Sequence, residues 1–173
     1  MKLENKEMII KFKKIVLSCM IINLLSLVVF ISGGRSYSEL YLGTIQISGV
    51  RSIIEVSLAV LNITSCIVFL RKRRALIGEL PFKCSKLGAV FGMLAAVFTV
   101  IFQVGFIPFV SMGWGWMEGN LFGVLFVLPV FFTFVVVIGL TLIVIQLGCY
   151  LTATIWYTIL YSKLKCSKRT NKK

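Results

Sequence analysis

Histidine and aspartate are both missing from this chain, and its six acidic residues are all glutamates: Glu4, Glu7, Glu39, Glu55, Glu79 and Glu118. The Ser-His-Asp triad, the aspartate dyad and the histidine metal site therefore have no residues to be built from. The five cysteines contain no Cys-x-x-Cys spacing, so the usual redox and zinc patterns are excluded as well. Chemistry resting on Glu, Cys, Ser or Tyr would need partner spacing that the sequence does not show, so the chain reads as non-enzymatic and without a cofactor or metal. Charge is scarce too: 14% of residues are charged, against roughly 25% in a soluble domain.

What fills the space is apolar. Hydrophobic residues make up 58% of the chain, beyond the roughly 45 to 50% of a soluble domain, and the mean hydropathy is +0.97. Lipid has to be the solvent for much of such a chain. The 173 residues are expected to form a single transmembrane domain without a separate soluble module.

Four apolar runs stand out. Ile15 to Ser32 is 18 residues long without a charge, about the length that spans a bilayer. It is longer than the hydrophobic region of a typical secretory signal, so a retained span is expected over a cleaved signal peptide. Ile53 to Leu70 follows, stopped by Arg71, Lys72, Arg73 and Arg74, and then Gly88 to Val110, which carries Pro108. The last run, Leu121 to Leu160, is 40 residues long. As a helix it would reach about 60 Å, twice the roughly 30 Å hydrocarbon core. It either crosses once as an overlong helix or crosses twice with a turn near Gly139 to Thr141.

The basic residues choose between these. Five precede the first run, two lie between the first and second, six between the second and third, none between the third and fourth, and six follow the last. With four spans, 17 bases fall on one side and two on the other, which the positive-inside rule assigns to cytoplasm and exterior. The expected fold is an all-α, integral membrane four-helix bundle with spans at about 15–32, 53–70, 88–110 and 121–160, both termini cytoplasmic and the last helix unusually long. The net charge of +13 is spread beside the spans and forms no single basic face, so it meets lipid headgroups and not nucleic acid.

Within the spans, polar residues are few enough to name. Asn23 lies eight residues into the first run and Asn62 nine into the second, so antiparallel spans bring them to one depth, where they can hydrogen-bond. Cys19, Asn23 and Ser26 share a face by helical spacing, as do Glu55, Ala59, Asn62 and Cys66. Such residues act as interhelical glue or line a polar path. Glu55 is the one charged residue inside a run, three residues from its outer edge and one turn after Arg51, so an interfacial ion pair accounts for it. Gly88, Gly92 and Ala96 recur every four residues and continue into Thr99 and Gln103. This is a small-residue packing seam, with the Gly148 and Thr152 face of the last run or a second copy of the chain as its expected partner. Cys84 and Cys166 are candidate palmitoylation sites, and Arg71 to Arg74 a candidate contact for anionic lipid.

In layout alone the chain resembles the MARVEL and claudin-like groups, which share four spans and cytoplasmic ends. The tryptophan and paired cysteines of the claudin first outer loop are missing, as is the Cys-Cys-Gly of tetraspanins. The resemblance implies a protein that organises membrane lipids, other membrane proteins or copies of itself. The competing reading is a small transporter or channel subunit in which Glu55 couples to the solute and Asn62 and Gln103 line its path. The topology is tested by single cysteines at Ser38, Gly119 and Thr170 in a cysteine-free background. An impermeant maleimide should label the first two from outside and the third only after permeabilisation. Outside labelling at Thr170 would require a fifth crossing.

Overall fold

A computed structural model describes residues 2–33, 49–76, 85–118 and 128–170. These are helical almost throughout, with no strand among the described residues. The elements are α1 (Lys2–Ser32), α2 (Gly49–Ala75), α3 (Leu87–Val100), a π-helical segment (Ile101–Phe106), α4 (Ile107–Glu118) and α5 (Leu128–Thr170). The π segment joins α3 to α4 with helical backbone angles on both sides, so the three form one rod. Four helical stretches are long and apolar enough to cross a membrane: Glu7–Ser32, Val50–Ala75, Leu87–Val110 and Pro129–Lys165.

Each helix runs further than its apolar core. α1 begins in the Lys- and Glu-rich segment ahead of the first run, where helix formers dominate and Lys11 Nζ lies 2.8 Å from Glu7 Oε1 one turn away. α2 continues through its basic stop signal, because Lys72, Arg73 and Arg74 in its last turn face the negative end of the helix dipole. α5 passes through Gly139 to Thr141 without a turn and is 43 residues long, about 65 Å at 1.5 Å per residue. The segment 121–127, which the sequence assigns to the last span, lies outside the described residues.

The irregular stretch of the third span has a local cause. Pro108 has no N–H to give and its ring would strike the carbonyl four residues back. The preceding turn widens to i→i+5 bonding, and the Ile107 N–H donates to the Phe102 carbonyl.

Side-chain hydroxyls follow the same rule that keeps the backbone helical: in hydrocarbon, a polar group is satisfied by protein or not at all. Thr64, Thr133, Thr141, Thr152 and Thr158 are exposed or half-exposed on the bundle surface, and each donates to the carbonyl four residues back in its own helix, at 2.7–2.9 Å. None of these surface hydroxyls is left with an unpaired proton.

The bundle closes as a square in which α1 packs on α2, α2 on α3, α3 on α5 and α5 on α1. This order sets α2 and α5 across one diagonal and α1 and α3 across the other. Toward the end that carries the chain termini, Phe12, Phe69 and Tyr157 form the centre of the packing. Phe12 and Phe69 stack at 5.5 Å between ring centroids, and Phe69 meets Tyr157 edge-on at 5.7 Å. At the far end Phe30, Phe102, Phe106, Val110 and Val135 make a second cluster.

Close approach in the middle depends on Gly92. A Cβ there would lie 3.1 Å from Cys66 Sγ and 3.5 Å from Asn62 Oδ1, both on α2. One turn away, a Cβ on Gly88 would lie 3.2 Å from the Trp156 Cβ of α5, and Ala96 is fully buried. The small-residue stripe therefore packs within the chain, against α2 and α5. Its partner is not the Gly148 and Thr152 face. A Cβ on Gly148 would meet nothing within 4 Å, because α5 turns Gln146, Tyr150, Ala153 and Tyr157 inward and leaves Gly148 outside.

Gly92→Ile should cost about 1–3 kcal/mol by overpacking and lower the melting temperature in detergent. Val90→Ile and Val97→Ile, at exposed positions, and Gly148→Ala should leave it unchanged. Equal tolerance of Gly92→Ile would mean that α3 and α2 do not touch there.

Candidate functional site

The buried polar residues of the four spans meet along the bundle axis. At the end away from the termini, Arg51 and Glu55 occupy successive turns of α2, and Arg51 Nε donates to Glu55 Oε1 at 2.9 Å. Arg51 Nη2 also donates to the Val29 carbonyl of α1 at 3.0 Å, placing a cation on the negative end of that helix. The guanidinium lies over Gly33, where a Cβ would overlap it. From α3's continuation, Gln103 Nε2 donates to the other Glu55 oxygen, and Ser52 Oγ donates to Gln103 Oε1 at 3.0 Å. The Glu55 carboxylate is buried and held by groups from two helices, with its charge matched by Arg51.

One level deeper, Thr99, Gln146 and Tyr150 join α3 to α5. Thr99 Oγ1 donates to the Ala95 carbonyl at 2.9 Å, and lies 2.8 Å from the Tyr150 hydroxyl and 2.6 Å from the donating Gln146 Nε2. A hydroxyl has one proton and two lone pairs, so with its proton on Ala95 this oxygen accepts from both neighbours and is saturated.

The next level is centred on Asn23. Its Nδ2 donates to the Tyr150 carbonyl at 3.0 Å and to Thr154 Oγ1 at 2.7 Å, and its Oδ1 accepts from Asn62 Nδ2 at 3.3 Å. Below it, Cys66 Sγ lies 3.5 Å from Asn62 Oδ1 and 3.3 Å from the Tyr157 hydroxyl across the α2–α5 diagonal. Cys19 Sγ donates to the Ser65 carbonyl at 3.4 Å. Cys19, Cys66 and Cys149 are free thiols.

Asn23, Asn62, Glu55 and Gln103, together with the Gly88–Gly92–Ala96 stripe, thus stand along one axis. Four members of the column come from α5 and carry no motif: Gln146, Tyr150, Thr154 and Tyr157. Their spacing of four, four and three residues puts them on one helical face, which is the signal that marks them within an otherwise apolar run. The other candidates lie apart. Arg71, Lys72 and Arg74 are exposed at the end of α2, with Arg73 half-buried. Cys166 belongs to the last turns of α5, and Cys84 lies outside the described residues.

What this arrangement does chemically is to hold four helices in register through directional bonds. Each interhelical hydrogen bond in lipid contributes about 1 kcal/mol. The cavity within the column is small, about 10 Å³, between Glu55, Thr99, Gln146 and Tyr150. Comparison with known proteins brings no match: no family model fits the chain, and no curated protein and no solved structure is similar to it.

Asn23→Leu removes two donations and strands the Asn62 amide, so it should cost about 1–3 kcal/mol in reversible unfolding from mixed micelles. The double variant Asn23→Leu/Asn62→Leu should lose less than the sum of the single losses. Strict additivity would mean that the two amides act independently.

Proposed function

We propose that this chain is a non-enzymatic four-span membrane protein that organises partner proteins or lipids around the outside of its bundle, with both termini in the cytoplasm. The observation that carries this reading is the outer surface of α5. Only 17% of its most apolar stretch is buried within the chain, against 44% for the third span. Val130, Val137, Val144 and Ile155 are each more than half exposed. α5 also continues, together with α4, past the level at which Arg51 and Val29 close the ends of α1 and α2. In hydrocarbon such a surface is covered by acyl chains or by another apolar helix. At the opposite end, Arg71, Lys72 and Arg74 project from α2 and suit anionic headgroups, each basic residue near such a surface contributing about 1 kcal/mol.

The second reading, a small transporter or channel subunit, draws support from the buried Glu55 carboxylate and the polar column beneath it. Intramembrane acids mark ion paths by default. Here the carboxylate is tied to Arg51 and Gln103, which favours a structural role.

Two measurements separate the readings. Proximity labelling and co-purification from the native membrane should recover a reproducible partner set, and Val144→Trp with Ile155→Trp should deplete it while leaving the melting temperature within a few degrees of the parent. Glu55→Gln should leave expression and assembly largely intact. A proton- or ion-coupled flux in reconstituted vesicles that Glu55→Gln abolishes would replace the organising role with transport.

A further inference from the structure

One polar atom of the column has no partner. Gln146 Oε1 is buried without a hydrogen bond, on a side chain that is 1% exposed. Its amide lines the small cavity together with Ser26, Glu55, Thr99 and Tyr150. A buried acceptor left unpaired in hydrocarbon is costly, and the neighbouring protons are already committed. The Thr99 proton goes to the Ala95 carbonyl and that of Ser26 to the Ile22 carbonyl. Because Thr99 has no second proton, the short Thr99–Tyr150 contact consumes that of the Tyr150 hydroxyl. Glu55 faces Arg51 as a carboxylate and brings none.

The geometry points to a bound guest at this position: a single water molecule, donating one proton to Gln146 Oε1 and the other to an oxygen of Glu55 or Tyr150. The cavity volume of about 10 Å³ is at the threshold of about 10–15 Å³ that one water requires, and the lining supplies more than the two polar partners it needs. A lining rich in lone pairs would also suit a small cation. Water is favoured because Arg51 already neutralises the one carboxylate present, and its guanidinium repels a second positive charge. Turning the Gln146 amide over does not remove the need. Its oxygen would then meet Thr99, and its NH₂ would face the cavity in want of an acceptor, which water also provides.

The water completes the column. Toward the termini, Cys66 and Tyr157 bridge the α2–α5 diagonal directly. At the level of Glu55 and Gln146 the bridge across the same diagonal is the water.

The test is a crystal structure of the wild-type chain grown from a lipid mesophase, once in choline chloride and once in sodium chloride. The expected result is a density peak within about 2.6–3.2 Å of the Gln146 amide in both. An empty cavity, a Gln146 amide bonded directly to its neighbours, or a peak present only with sodium would overturn the proposal. Infrared spectra of the protein in vesicles give an independent readout. An O–D band that shifts between D₂¹⁶O and D₂¹⁸O should be present in the wild type and lost in Gln146→Leu, whose side chain needs no donor. An unchanged band in a folded Gln146→Leu would equally overturn it, and should that variant not fold, the wild-type density decides.

Discussion

Hydrocarbon offers no hydrogen bonds, and nearly every feature of this molecule answers to that fact. Backbone groups are satisfied by continuous helices, and surface threonines give their protons to their own helix. The side chains that a helix cannot satisfy alone are gathered on the axis and bonded to one another. Asn23 is the clearest case, since its amide reaches α5 through Tyr150 and Thr154 and α2 through Asn62. Because these bonds are directional, they specify a depth for each helix relative to its neighbours, which apolar packing in lipid does weakly.

The small residues of α3 serve the same arrangement. Gly92 brings the α3 backbone close to Cys66 and Asn62, and Gly88 gives Trp156 and Tyr157 their place. One consequence is an uneven distribution of surface. α3 is drawn into the centre of the bundle, while α5 contributes one polar stripe and leaves most of its circumference on the bundle's outer surface. The widened turn before Pro108 lies at Gln103, where the third span meets Ser52 and Glu55. The proline thus perturbs the helix where polar contacts, and not backbone regularity, hold it in position.

Charge is handled by proximity. Glu55, the acid within a run, has Arg51 one turn before it, and the same guanidinium closes the end of α1 at Val29. A single cation thereby neutralises a buried carboxylate and a helix dipole, and the space it occupies is left by Gly33. This economy supports a structural account of Glu55 over a catalytic or coupling one.

Hydropathy and the spacing of polar residues determined the all-helical class, the four apolar spans, the Arg51–Glu55 pair and the matching depths of Asn23 and Asn62. All of these are local along one helix or follow from counting residues inward from two ends. The tertiary structure alone decided which faces meet. Small residues at Gly92 and Gly148 look alike in a sequence, yet one packs against Cys66 and the other faces outward. The difference depends on how α5 is rotated, and that rotation is set by Gln146, Tyr150, Thr154 and Tyr157 finding partners on three other helices. An apolar run 40 residues long carries no periodic contrast strong enough to announce such a rotation, because in lipid its outward face is as apolar as its inward one.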